Sequence, residues 1–205
     1  MQATPGIAPF DDRDYLFEPW WPGVRALAWV DGGRLLRLQA DGLSDAMTAF
    51  AELGDELPER LMRDGVIVDG WLLALDEGGW LDTSLLRRRL AGDARAGRPG
   101  FVASDLLWSD GTAWVRRSFA SRRRELESIL LDGDRCVVSH ALRGEGTLMA
   151  EALARFGLDS LSARRLDARY RGGSAGEAWL RVPIEPAAIA ERPRLALIQR
   201  LPFAD

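Results

Sequence analysis

The chain has 205 residues, and its 27 basic residues are all arginine, with a formal net charge of −4. The absence of lysine excludes any mechanism that uses an ε-amino nucleophile or a Schiff base. A single cysteine, Cys136, and a single histidine, His140, exclude an internal disulfide, a cysteine zinc site and a metal site of several histidines made by this chain alone.

At 47% hydrophobic residues the chain can bury one good-sized core or two small ones. No apolar run approaches the roughly 18 to 20 residues that span a bilayer. The opening stretch MQATPGIAPFDDRDY has neither a basic start nor an apolar segment of signal-peptide type, so the expected location is cytoplasmic and no membrane partner is expected. Acidic balance argues against a dedicated nucleic-acid binder. Arginines cluster at Arg87–Arg89, Arg122–Arg124 and Arg164–Arg171. Two of these clusters fall on predicted helices, where a solvated face is the expected role. Cys136 and His140 are expected on or beside a strand, with no chemical role.

In chain order, RALAWV and RLLRLQ flank Asp31-Gly32-Gly33 and predict a hairpin. Apolar residues recur at helical spacing from Ser44 to Met62 (Met47, Phe50, Leu53, Leu57, Leu61), with Ser44 as N-cap and Pro58 breaking the end. GVIVDGWLLAL predicts a strand turning at Glu77-Gly78-Gly79, and Asp82 predicts a cap for a short helix through Leu90. FVASDLLW predicts a buried strand turning at Asp110-Gly111 into AWVRR. Helices are expected over 118–131 and 146–156, the second closed by Gly157. CVVSHAL, LSARRLD and AWLRVP complete the strands. No repeat or long linker interrupts the pattern, so one domain is the simplest organisation, followed by a proline-containing tail from Ile184 that straps onto the body or stays mobile. Separated helices and hairpins predict an α+β fold with antiparallel sheets.

The run ATPGIAPFDDRDYLFEPWWPGVRALAWVDGGRLLRLQADG resembles the opening of the adenylation (nucleotidyltransferase) domain of bacterial ATP-dependent DNA ligases, above all the end-joining type. Further in the same order, VDGWLLALDEGG, FVASDLLWSDG, SFASRRRELESIL, GLDSLSARRLDARYRGG and AWLRVP are similar to successive motifs of that family. The likeness runs from about Ala3 to Pro183, and no single motif is intact. It implies the α+β, ATP-grasp-like nucleotidyltransferase fold: two antiparallel sheets, flanking helices and a central cleft. Residues 1–183 form a degenerate adenylation domain on this reading and 184–205 a C-terminal tail. The family's C-terminal OB-fold domain is expected to be missing.

Carried over residue by residue, the lysine that attacks ATP falls on Trp20 and the aspartate beside it on Pro22, while Glu18, Gly23 and Arg25 are retained. The ribose-contacting arginine falls on Ala40. The glutamate of the D-G-E motif falls on Trp71 after a retained Asp69 and Gly70, and the base-stacking aromatic falls on Ser104 beside Asp105. Asp159, Ser160 and Arg164 stand for a glutamate, a glycine and a lysine; Arg181 and Pro183 stand for the last two lysines. The resemblance therefore implies a pseudoenzyme with no catalytic residue at position 20. It is a non-catalytic accessory or interaction protein linked to DNA repair, with a protein or second copy of itself as partner and DNA as the less supported one. No cofactor or metal is expected; ATP and magnesium enter by family resemblance only. The alternative is a nucleotide- or phosphate-binding protein with an open pocket, a non-lysine reaction and magnesium held by Glu18, Asp69, Asp105 and Asp159. Whether Trp20 and Trp71 fill the cleft or form an interface is left open.

Overall fold

The computed structural model describes residues 1–198. The elements are β1 (Thr4–Pro5), β2 (Tyr15–Pro19), β3 (Val24–Asp31), β4 (Arg34–Ala40), α1 (Ala46–Ala49), α2 (Leu53–Arg60), β5 (Val66–Leu75), α3 (Thr83–Leu90), β6 (Arg98–Ser109), β7 (Thr112–Ala113), α4 (Phe119–Ile129), β8 (Cys136–Val138), β9 (Leu142–Arg143), α5 (Gly146–Ala154), β10 (Ser160–Arg165), a 3₁₀ turn (Gly176–Ala178), β11 (Trp179–Pro183) and α6 (Leu195–Ile198). They divide into two compact units, each built on its own sheet. The first unit comprises Met1–Trp20, Arg117–Ala120 and the described residues from Ser139 on; the second comprises Trp21–Arg116 and Ser121–Val138. No described helix is long and apolar enough to cross a membrane.

The first unit's sheet has the order β1-β11-β10-β2-β9. It is antiparallel apart from β1, which runs parallel to β11. Helix α5 packs against β2, β9 and β10. Phe17, Leu161 and Ala163 are fully buried, as are Met149 and Leu153 of the helix. Residues past β11 are tied down by backbone hydrogen bonds: the N–H of Ile184 donates to Asp159, that of Ala187 to Ala154 and that of Glu191 to Arg155. The tail thus straps onto its unit over the described part, and residues 199–205 lie outside the described residues.

The second unit's sheet has the order β4-β3-β5-β6-β7, with β8 added parallel to β6. One face carries Ala26, Ala28, Val66, Val68 and Leu72, which join Phe50, Leu53, Leu57, Leu86, Leu126 and Ile129 of the helical segments in one core. The predicted hairpin forms at Gly32 and Gly33, with φ of +57° and +66°, the positive values a two-residue turn needs. The Asp64 carboxylate accepts the Gly32 N–H at 2.9 Å. That hydrogen bond holds its pKa below the usual carboxylate value.

Three local expectations are corrected. The Ser44–Met62 helix is two helices, and its cap is Asp45, which accepts the Thr48 N–H at 2.9 Å. Chain reversal at Phe50 separates them, where the N–H of Leu53 returns to the Phe50 carbonyl. Pro58 lies inside α2, which ends two residues later as the Leu61 N–H closes on the Pro58 carbonyl. AWVRR contributes only its first residue to β7 (Thr112–Ala113), with Trp114 adding a single further bond to Leu107. CVVSHAL is the third: it divides into β8, in the second unit's sheet, and β9, in the first's. The other predicted strands and helices stand, including the Asp82 cap of α3, which accepts the N–H groups of Ser84 and Leu85.

Backbone spacing explains some glycines. A Cβ on Gly70 would lie 2.4 Å from the Val102 carbonyl oxygen, whereas one on Gly54, within α2, would meet nothing within 4 Å. Gly70→Ala is therefore expected to destabilise the fold by about 1–3 kcal/mol, and Gly54→Ala to stabilise it by about 0.5–1 kcal/mol through helix propensity. Urea unfolding of both variants checks the opposite signs.

Candidate functional site

In β10 the side chains alternate, so Ser160, Ser162 and Arg164 share one face and Leu161 and Ala163 the other. The register sets Glu18 of β2 and Arg181 of β11 on either side of Ser162, and Trp179 beside Arg164. Three strands thereby bring Glu18, Arg164 and Arg181 onto one face of the first unit's sheet, away from the Leu161/Ala163 face. Trp20 follows directly on β2, its N–H donating to the Ser160 carbonyl.

These residues form a column of alternating rings and guanidinium groups. The Arg164 guanidinium carbon lies 4.1 Å from the Phe119 ring centroid and 5.0 Å from that of Trp179. Trp179 then meets Trp20 at 5.8 Å between centroids, tilted by 33°. Arg181 caps the far side of Trp20 at 4.9 Å. Polar contacts fix the column from the side. Trp179 Nε1 donates to the Ser162 hydroxyl at 2.8 Å, and Ser162 donates to Glu18 at 3.4 Å. Glu18 in turn lies 3.9 Å from Arg164, both side chains only 3% exposed. Arg181 Nε donates to the Ser160 hydroxyl at 3.0 Å, and that hydroxyl donates to Asp159 at 2.8 Å. Each desolvated cation–aromatic contact contributes on the order of 2 kcal/mol.

Carboxylates of the second unit are held by arginine. Asp69 on β5 accepts from Arg25 Nε at 2.8 Å and also from its terminal nitrogen, while Ser104 donates to the Asp69 carbonyl. Asp105 on β6 accepts two bonds from Arg122 at 2.7 and 2.9 Å and the Leu106 N–H at 2.9 Å. Neither Asp105 nor Arg122 has any exposed side-chain surface. Trp71, opposite Arg25 in the register, is buried.

The expected site residues thus fall into two groups: Glu18, Trp20, Asp159, Arg164 and Arg181 in the first unit, and Arg25, Asp69, Trp71, Ser104 and Asp105 in the second. Asp69 and Asp105 are each engaged bidentately by an arginine, which takes two of the roughly four lone-pair positions of each carboxylate. Among the described residues, no three acidic, cysteine or histidine groups come together as metal ligands.

Solvated faces were expected for the helical arginine clusters, and three of those arginines are buried. Arg122 and Arg89 are fully so and Arg123 nearly so. Arg89 donates to the carbonyls of Ala49, Ala96 and Gly97 and pairs with Glu52. The signal lay in the spacing: Phe119, Arg122, Leu126 and Ile129 form one helical stripe, with the arginine inside it. Ser162, Phe119 and Trp179, which support Glu18 and Arg164, also escaped the sequence reading; strict alternation along LSARR could have found Ser162. Cys136 lies on β8 as expected. Burial, then the nearby Glu56 carboxylate, push its thiol up to about 12.

This arrangement is the fold of a DNA-ligase nucleotidyltransferase domain. Solved structures agree: the ligase domain of LigD from M. tuberculosis matches with a TM-score of 0.72 and 28% identity, covering 87% of this chain and 57% of that one. A mycobacterial DNA ligase D complexed with ATP and MES matches with a TM-score of 0.71 and 26% identity, covering 88% and 58%. More particularly, the chain is homologous to the ligase domain of the LigD proteins and to archaeal ATP-dependent DNA ligases. It is 30% identical over 184 residues to the multifunctional non-homologous end joining protein LigD of Mycolicibacterium smegmatis, covering 88% of this chain and 23% of that protein. To the DNA ligase of Thermococcus onnurineus it is 25% identical over 177 residues, covering 81% and 31%. The chain thus spans only a minor part of the length of these relatives. No family model matches it.

Two outcomes check this description. Arg122→Ala leaves the Asp105 carboxylate buried without its partner and is expected to cost about 3–5 kcal/mol in a denaturation experiment. Cys136 is expected to resist alkylation by iodoacetamide at pH 8 in the folded chain and to react once the chain is unfolded in guanidinium.

Proposed function

We propose that this chain is a catalytically degenerate homologue of the adenylation domain, acting in the cytoplasm as a non-catalytic accessory or interaction protein linked to DNA repair. Residues 1–183 are the degenerate domain and 184–205 its tail. A protein or a second copy of the chain is the preferred partner. One observation carries the reading. Where the family places its nucleophilic lysine, this chain has the Trp20 indole, stacked on Trp179 and capped by Arg181. Without a lysine anywhere in the sequence, no side chain can form the lysyl phosphoramidate to AMP. The remaining charges support the same reading, since Glu18, Asp69 and Asp105 all face arginine within their own units.

A second reading has its own observation. A cavity of about 580 Å³ in the first unit is lined by Trp20, Asp159, Ser160 and Arg181 together with Ala3, Pro5, Gly6 and Pro183. A cation beside an indole can receive a planar anionic ligand, so a nucleotide held there without lysine chemistry is the alternative.

Titration of ATP, with and without magnesium, separates the two when tryptophan fluorescence and thermal stability are followed together. The non-catalytic reading predicts no saturable quenching that Trp20→Phe abolishes, up to millimolar ATP. Saturable quenching lost in Trp20→Phe would favour the alternative, with a stabilisation of about 2.7 kcal/mol once ATP reaches a hundred times its Kd.

A further inference from the structure

The third arginine cluster continues past the column. Arg164 belongs to that column, but Arg165, Arg169 and Arg171 line a separate cavity of about 670 Å³ with Ser174, Gly176 and Glu177. It lies in the first unit, between the end of β10 and the 3₁₀ turn before β11. Its lining carries three arginines against two carboxylates, Asp167 and Glu177, in a chain whose net charge is −4.

Arg165 is already placed: its Nε donates to Asp167 at 3.0 Å, and its terminal nitrogen lies 4.0 Å from Glu177. Arg169 and Arg171 are exposed, and among the described residues neither has a carboxylate within ion-pair distance. Ser174, Ala175 and Gly176 of a glycine-containing loop are part of the lining. Gly173 and Gly176 have φ of +76° and +54°, and a Cβ on Gly172, Gly173 or Gly176 would meet nothing within 4 Å. These glycines therefore serve backbone conformation and clearance rather than packing. Ala175 is right-handed immediately before the positive φ of Gly176, and the Gly176 N–H lies 3.5 Å from the Ser174 hydroxyl. The loop is also held in place. The Gln2 N–H donates to Gly173 at 2.7 Å, and the Ala175 N–H donates back to Gln2 at 2.8 Å. Such ordering lowers the entropy lost on binding.

Guanidinium forks match phosphate oxygens in pairs. Two exposed forks beside a third fixed one, across a space of this size, exceed what one carboxylate ligand needs. We propose that this cavity is a phosphate-binding site for a ligand bearing more than one phosphate group, from a nucleic-acid backbone or from a free polyphosphate. The site goes beyond the non-catalytic reading and does not depend on it, because none of its residues belongs to the Trp20 cavity.

The test uses the full chain with two probes: sodium tripolyphosphate, followed by thermal shift, and labelled single- and double-stranded oligonucleotides, followed by anisotropy at several salt concentrations. The double variant Arg169→Ala/Arg171→Ala is compared with Arg87→Ala/Arg88→Ala, which removes the same charge from exposed positions of α3. The site predicts binding of at least one probe, weakened about tenfold or more by the first variant and less than about twofold by the second, because charge-assisted phosphate contacts are strong and local. For oligonucleotides the salt slope should fall by about one to two in the first variant, following the number of phosphates released. A response to tripolyphosphate points to a free polyphosphate, and a response to oligonucleotides alone points to a nucleic-acid backbone. Failure of both probes to bind the unmodified chain overturns the proposal, as does equal weakening by the two variants. Trp20→Phe leaves this binding unchanged if the site is correct, so failure here and failure of the non-catalytic reading are told apart.

Discussion

The Arg164 guanidinium, held between the Phe119 and Trp179 rings beside Glu18, is the contact around which the first unit's polar face is organised. A charge with so little solvent access needs compensation from every side, and each compensating group constrains another. Glu18 is oriented by Ser162, Ser162 by the Trp179 indole, and Trp179 carries Trp20 against it. Arg181 then caps Trp20 while bonded to Ser160. The side chain at position 20 is thus an indole in contact with Trp179 and Arg181, and it offers no group that can attack a phosphate.

A related solution recurs in the second unit, by pairing instead of stacking. Arg25 takes Asp69 and Arg122 takes Asp105, while Arg89 satisfies three backbone carbonyls in the core. An arginine-only chain suits this use, since a planar fork can bind a carboxylate bidentately where an ammonium cannot. Buried ion pairs of this kind add little net stability over apolar packing, but losing one partner is costly. They therefore fix the positions of β5, β6 and α4 more than they strengthen the fold.

Much of the fold was legible in the sequence. Glycine pairs marked the hairpin, Asp82 marked a cap, and the runs GVIVDGWLLAL, FVASDLLW, LSARRLD and AWLRVP marked β5, β6, β10 and β11. Order and spacing of the altered motifs pointed to the nucleotidyltransferase fold that the structure has. Less legible was the break near Phe50, where tertiary packing overrides a continuous helical pattern, and the cap at Asp45 rather than Ser44. The strand β2 was also missed as an element, although Tyr15 and Phe17 alternate with Leu16 and Glu18. For the candidate site, the partners of the named residues were not readable. Nothing local in the sequence says that Arg122 belongs to Asp105, or that Phe119 and Trp179 enclose Arg164. Those pairings depend on strands brought together from distant parts of the chain.

The proposed non-catalytic role joins the fold's backbone geometry to an indole at position 20. Gly70 and Gly23 are glycine where a Cβ would sit 2.4 Å from a neighbouring carbonyl oxygen. Intact-mass measurement of the chain after incubation with ATP and magnesium addresses this most directly. The account predicts an unchanged mass, because the chain has no lysine side chain to hold the nucleotide. A species heavier by one AMP, lost on mild acid treatment, would contradict it and would show that another side chain has taken over the nucleophile's role.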